Sequence, residues 1–144
     1  MSFALDVNIL LYASDSGGAR HREAQDFLEQ CLAGPELMYL GWPTVMGYLR
    51  MATHPSIFRK PLSPAEAEHN IDSILGLRHV RVLAEGDGFW EVYQSVTGQV
   101  PTRGNLVPDS HLAALLLHHG IKTLYTRDRD FRKYDFLTVR DPLA

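Results

Sequence analysis

Hydrophobic and polar positions along the chain predict strands and helices in alternation. Short apolar runs suit buried strands, and between them apolar residues recur every three or four positions, as they do on one face of a helix. The clearest helical face comprises Ala24, Phe27, Leu28, Cys31 and Leu32. Alternation of this kind favours an α/β fold, in which helices cover both faces of a mostly parallel sheet.

The hydrophobic pattern, together with the glycine, proline and capping residues that interrupt it, places the elements along the chain. We predict strands at residues 3–6, 37–40, 79–83, 121–126 and 137–139. We predict helices at residues 9–12, with Asn8 as N-cap, and at residues 19–33, 43–52, 89–96 and 108–119. Another helix opens at the capping box Ser63-Pro64-Ala65-Glu66. The run Leu112-Ala113-Ala114-Leu115-Leu116-Leu117 is apolar nearly all round, so we expect that helix to be deeply buried.

Composition indicates a compact protein of ordinary type. A chain of 144 residues fits one domain, which we place at 1–144. The only cysteine, Cys31, cannot form an internal disulfide, which suits a reducing compartment, so we expect a cytoplasmic location. No apolar stretch is long enough for a membrane span, and the first apolar run lacks the positive start of a signal peptide.

The formal net charge of −3 argues against a simple nucleic-acid-binding module, because such modules usually carry a basic surface. It does not argue against a nuclease. Acids that hold metal ions contribute to the negative total, and the bound ions reverse the local field.

Aspartates follow the predicted strands or open the next element. Asp6 ends the first apolar run, Asp109 begins the apolar helix, and Asp128 and Asp130 follow the strand at 121–126. Ligands in an open parallel sheet bind beyond the carboxyl ends of its strands, so these side chains are expected to converge. Clustered carboxylates repel one another unless they are protonated or share a cation. Hard oxygen ligands favour Mg²⁺ or Mn²⁺, so we predict a metal-dependent phosphodiester hydrolase.

Each of these residues also has a purely structural interpretation. An aspartate after a strand often caps a helix or makes a turn, and only the set of acids favours a shared site. The arginines near the predicted crevice are candidates for binding RNA phosphates, and the alternative is a solvated surface on which acids and bases neutralise one another. The RNA-binding candidates are Arg50, Arg103, Arg127 and Arg129.

Several motifs, in this order, resemble one known family. They are Leu5-Asp6-Val7-Asn8-Ile9-Leu10, the region from Trp42 to Pro55, the stretch from Gly104 to Ala114, Thr126-Arg127-Asp128-Arg129-Asp130-Phe131 and Asp141-Pro142-Leu143. Together they resemble the PIN-domain ribonucleases, and most closely the VapC toxins of bacterial toxin–antitoxin pairs. The likeness extends over essentially the whole chain.

The resemblance implies a three-layer α/β/α fold and a Mg²⁺- or Mn²⁺-dependent endoribonuclease that acts as a toxin. Asp6, Asp109 and Asp128 would bind the metal, with Asp130 as a further catalytic acid. Asn8 and Thr126 would orient the carboxylates through hydrogen bonds. The implied partners are a VapB-type antitoxin, a second copy of the chain in a homodimer, and a structured RNA such as tRNA.

One position departs from the family pattern. Many members carry a glutamate in the helix of the second region, where this chain has Gly47. The alternative function is therefore a catalytically weakened PIN-like domain that binds RNA or protein. Aspartyl-phosphate phosphatases also place an aspartate after the first strand, but they need a second aspartate two residues later, where this chain has Asn8.

Overall fold

Five strands form a single sheet in the computed structural model, which describes residues 2–144. They are β1 (Ser2–Leu5), β2 (Leu37–Gly41), β3 (Val80–Leu83), β4 (Thr123–Tyr125) and β5 (Thr138–Arg140). The order across the sheet is β3-β2-β1-β4-β5, and every neighbouring pair is parallel. The predicted mostly parallel sheet is confirmed.

Helices cover both faces of this sheet. They are α1 (Val7–Ser14), α2 (His21–Leu32), α3 (Trp42–Ala52), α4 (Pro64–Leu75), α5 (Phe89–Gln99) and α6 (Val107–His118). Two short 3-10 turns, Gly104–Leu106 and Arg129–Lys133, complete the secondary structure. Within residues 2–144, no helix is both long and apolar enough to cross a bilayer.

Two hydrophobic cores lie on opposite faces of the sheet. Phe3 and Leu5 of β1 pack into the core beneath α3 and α4, whereas Ala4 packs into the core beneath α6. Successive side chains of a strand point to opposite faces, so β1 is buried on both sides. This arrangement confirms the three-layer α/β/α prediction.

The strand order creates the crevice in which a site is expected. The chain passes from β1 to β2 on one side of β1, whereas β4 pairs with β1 on its other side. Crevices of open α/β sheets lie at such a change of direction, beyond the carboxyl ends of the strands. Asp6 and Thr126 follow β1 and β4 directly, so the fold brings together residues that are 120 positions apart.

Local details depart from the sequence prediction at a few positions. Asn8 is not the N-cap of the first helix, because Asp6 takes that role and α1 begins at Val7. Residues 112–116 of α6 are buried as predicted, whereas Leu117 is 38% exposed. The capping box at Ser63 is confirmed, and Gly120 ends α6 with a positive φ of 72°, which glycine adopts without strain.

Candidate active site at the carboxyl edge of the sheet

Asp6 is held on both carboxylate oxygens at the end of β1. Its Oδ1 accepts a 2.7 Å hydrogen bond from the backbone N–H of Val7, as an N-cap does, and its Oδ2 accepts one of 2.7 Å from the Thr126 hydroxyl. Asp6 is 8% exposed, and its backbone N–H donates to the Tyr125 carbonyl oxygen. The carboxylate is therefore fixed at the seam between β1 and β4.

Thr126 connects the end of β1 with the turn after β4 through one hydroxyl. While it donates to Asp6, its oxygen accepts a 3.2 Å bond from the Asn8 side-chain amide and a 3.0 Å bond from the Asp128 backbone N–H. The Asn8 carbonyl oxygen in turn accepts from the N–H of Arg127 at 3.5 Å. Both residues predicted to orient the acids thus make hydrogen bonds within the acidic crevice.

Asp6 and Asp109 line the same pocket, which has a volume of about 140 Å³. Asp109 reaches it from the first turn of α6, which Pro108 opens as a proline favoured in that turn. Helix α3 adds Thr44, Gly47 and Arg50 to the lining of the pocket. Two predicted acids and one predicted arginine, brought from three separate elements, therefore meet in a single pocket.

The acids of this site raise one another's pKa values. Burial, followed by the charges of Asp128 and Asp6, raises the pKa of Asp109 from its ordinary 3.8 to about 6, and Lys133 partly offsets the shift. Burial also raises the pKa of Asp6 above its ordinary value, against the lowering effect of the hydrogen bonds from Thr126 and Val7. Such mutual repulsion is the electrostatic condition under which a cation binds favourably.

Asp128 and Asp130 lie beside the pocket rather than on its wall. Asp128 caps the turn after β4, and its Oδ1 accepts a 2.9 Å hydrogen bond from the backbone N–H of Asp130. Asp130 itself is an exposed residue. Asp128 still acts on both pocket acids through its charge. Within residues 2–144, no three histidine, cysteine or acidic side chains lie close enough together to hold one ion as they stand.

The four candidate arginines differ in their surroundings. Arg50 lines the pocket itself and is exposed to solvent. Arg127 lies in an ion pair with Asp141, with 3.4 Å between Nε and Oδ2. Arg103 and Arg129 are exposed on the turns that precede α6 and follow β4. Of the four candidates, Arg50 is thus the arginine that lines the pocket with both acids.

Other functional candidates were not singled out by the sequence prediction. Beneath Asp109, the buried Ser110 hydroxyl shares hydrogen bonds of 2.7 Å with the Tyr134 hydroxyl and 2.8 Å with that of Thr102. Thr44 is a second buried residue that carries a hydroxyl, and it lines the pocket. A small hydroxyl side chain next to predicted core positions was the available signal for Ser110 and Thr44, but Tyr134 carries no signal of this kind.

Comparison with known proteins identifies the family to which this arrangement belongs. The family model of the PIN domain matches residues 3–137. The chain belongs to the PIN-domain family. It is 46% identical over 144 residues to Ribonuclease VapC48 of Mycobacterium tuberculosis, an alignment that covers 100% of this chain and 99% of the relative.

Solved structures support the same fold. The crystal structure of Mycobacterium tuberculosis VapC20, described as a Sarcin-Ricin loop cleaving toxin, has a TM-score of 0.69 and 19% identity, covering 96% of this chain and 99% of that one. The structure of VapBC2 from Rickettsia felis, bound to a promoter DNA fragment, has a TM-score of 0.69 and 14% identity, covering 97% of this chain and 98% of that one. At these identities the likeness concerns the fold alone.

Proposed function

We propose that this PIN-domain protein is a Mg²⁺- or Mn²⁺-dependent endoribonuclease and the toxin of a toxin–antitoxin pair. The observation that carries the proposal is the placement of Asp6 and Asp109 in one pocket with raised pKa values. Its support from sequence is the 46% identity to Ribonuclease VapC48 over the full chain.

The residues of the pocket fit a hard divalent cation. Asp6 and Asp109 offer carboxylate oxygens whose repulsion a cation would relieve, and Asp128 would be the third acid to take part. Mg²⁺ in particular is often held by one or two carboxylates while keeping several waters. When bound, such an ion lowers the pKa of a water and stabilises charge on phosphoryl oxygens.

The remaining residues of the site would position the acids and the RNA. Thr126 and Asn8 hold Asp6 and the turn after β4 in place through their hydrogen bonds. Arg50 would donate to a phosphate from its place in the pocket lining, as arginine can through two parallel N–H groups. Asp130, next to Asp128 on the turn, adds to the local negative charge that the cation offsets. No nucleophilic side chain is needed for this hydrolysis.

The outer arginines would extend the phosphate-binding surface. Arg103 and Arg129 are exposed on the turns on either side of the acidic crevice, where each can reach an RNA backbone. Arg127 would contribute less attraction, since Asp141 already balances its charge. RNA phosphates would thus be drawn to the edge of the sheet even though the chain is acidic in total.

The relatives also suggest partners. We propose a VapB-type antitoxin, a homodimer, and a structured RNA such as tRNA as the substrate, in a cytoplasmic setting. Support comes from the toxin–antitoxin complexes among the structural neighbours, including VapBC-1 from nontypeable Haemophilus influenzae, with a TM-score of 0.65.

The test is cleavage of total tRNA and ribosomal RNA by the purified protein with Mg²⁺ or Mn²⁺, alongside a chelator. Asp6→Asn and Asp109→Asn should abolish cleavage, because each removes a charge from the pocket. Asp72→Asn, a change of the same type at an exposed position of α4, should leave cleavage unchanged. Cleavage that survives the chelator or both pocket variants would refute the proposal.

A second function is favoured by one specific observation. Gly47 stands on the pocket wall where a further carboxylate is common in the family, which leaves Asp6 and Asp109 as the acids lining it. A domain retained for binding would associate with RNA but cut none of it. Retention of RNA by the folded wild-type protein, without cleavage under any of the metal conditions, would favour this alternative.

A further inference from the structure

Thr44 is a buried polar residue whose hydroxyl the fold itself does not use. The residue as a whole is 4% exposed, and it lines the pocket together with Asp6 and Asp109. None of the side-chain hydrogen bonds within residues 2–144 involves the Thr44 hydroxyl. Every fully buried side-chain oxygen in that range has a hydrogen-bond partner, so the Thr44 hydroxyl is not fully buried. The hydroxyl therefore reaches the open space of the pocket.

Thr44 does not make the hydrogen bond to the backbone that a threonine in a helix commonly makes. A helical threonine without another partner commonly bonds back to a backbone carbonyl of the preceding turn. Thr53, the C-cap of the same helix, does this through a 2.7 Å bond to the Leu49 carbonyl. Thr44 makes no such bond among the described residues, so its hydroxyl remains available to a ligand.

The pocket consequently combines two chemically different groups of lining residues. Asp6 and Asp109 supply acceptors and negative charge, whereas Thr44 and Arg50, both on α3, supply donors. Gly47, between these donors on α3, leaves the wall open, since a Cβ placed there would touch only Met51 and Val7, at 3.5 and 3.7 Å. An anion fits this pocket when it shares a cation with the acids, because its oxygens can then accept from Thr44 and Arg50.

We propose that Thr44 is a substrate-positioning residue whose hydroxyl donates to a non-bridging phosphate oxygen of the RNA, beside the guanidinium of Arg50. This inference rests on the proposed ribonuclease function. The hydroxyl and guanidinium hold the phosphate from α3, while the acids face it from β1 and α6. Thr44 takes no proton and forms no covalent bond in this role.

The experiment compares Thr44→Val, which keeps the shape and removes the hydroxyl, with Thr44→Ser, which keeps the hydroxyl. Thr97→Val on α5 is the matched control, because Thr97 bonds only to the Gln94 carbonyl. A hydrogen bond to a charged group implies that Thr44→Val lowers kcat/KM for RNA by about tenfold or more. Thr44→Ser should stay within about threefold of the wild type by the same reasoning.

Two further readouts separate positioning from a merely structural effect. RNA affinity measured by fluorescence anisotropy in chelator should fall for Thr44→Val and be retained by Thr44→Ser. In a double-mutant cycle, Thr44→Val and Arg50→Gln should be non-additive, because both donors hold one phosphate. Thermal unfolding of each variant shows whether it folds, and Thr44→Ala replaces Thr44→Val if the latter does not.

The outcomes distinguish this inference from the function on which it rests. If the wild type cleaves RNA and folded Thr44→Val binds and cleaves it equally well, the role of Thr44 is refuted and the ribonuclease stands. If the wild type cleaves no RNA, the proposed function fails. In that case unchanged RNA affinity in Thr44→Val also refutes the phosphate contact, whereas a selective loss supports it.

Discussion

The hydroxyl of Thr126 donates a 2.7 Å hydrogen bond to Oδ2 of Asp6, from 120 residues further along the chain. The same oxygen accepts from Asn8 and from the backbone of Asp128. One donor and two acceptor positions satisfy a hydroxyl completely. The position of the Asp6 carboxylate therefore depends on β4 as much as on its own strand.

Replacing Thr126 by valine should damage the site and the fold together. The change leaves the N–H of Asp128 and the amide of Asn8 without their acceptor, and removes a donor from Asp6. Loss of a buried hydrogen-bonded group costs about 1–3 kcal/mol, so urea denaturation should report a lower free energy of unfolding. Thr126→Ser should keep both stability and cleavage, and equal losses in the two variants would contradict this account.

Stability without metal should fall as the pH rises through the acid range. The pKa of Asp109 is about 6 in the folded protein and near its ordinary 3.8 in the unfolded chain. A raised carboxyl pKa stabilises the fold below about pH 4, and that contribution is lost as the pH approaches 6. Asp109 is partly exposed, so we expect a loss of only about 1 kcal/mol, measurable by urea denaturation in chelator. Asp109→Asn should flatten this dependence.

Metal binding should show the opposite dependence on pH. A carboxyl group must lose its proton to bind a cation, so protons compete with metal at Asp109 below about pH 6. The concentration of Mn²⁺ needed for half-maximal cleavage should therefore rise as the pH falls from 7 to 5. A midpoint near pH 4 in the metal dependence would show that the raised pKa of Asp109 plays no part.

Restoring a carboxylate at position 47 should strengthen metal binding. The contacts that a Cβ would make at Gly47, 3.5 Å to Met51 and 3.7 Å to Val7, are ordinary packing distances, so a side chain fits. Affinity rises with the charge of the ligand set, and we expect Gly47→Glu to bind Mn²⁺ about tenfold more tightly by calorimetry. Gly47→Gln is the control of equal size. Equal affinity of the two variants would mean that the added charge does not reach the metal.

The arginines should differ in how much they contribute to RNA binding. When the logarithm of RNA affinity is plotted against the logarithm of salt concentration, each phosphate contact to a single strand contributes about 0.7 to the steepness of the fall. Arg50→Gln should reduce the slope by about this amount, because Arg50 lies in the pocket. Arg127→Gln should reduce it less, since Asp141 already balances that charge. Salt titrations of RNA affinity in chelator measure both, and a larger effect at Arg127 would contradict this ranking.

Several features were determined by the sequence alone. The alternation of apolar runs and helical faces predicted the α/β architecture, and the Ser63 capping box lies where it was predicted. These features depend on residues close together in the chain, whose propensities and hydrogen bonds act over a few positions. The motifs around Asp6, Asp109 and Asp128 resembled the family to which the chain belongs.

Only the tertiary structure decided which of these residues meet. Asp6 and Asp109 share a pocket, whereas Asp128 stands beside it, and Arg127 turns to Asp141. Asn8 was expected to cap a helix and instead bonds to Thr126 across the crevice. The pairing of β1 with β4 and the direction of each side chain determine these contacts over more than a hundred residues. Local sequence carries no information about such distances, and the packing of the sheet and its helices supplies it.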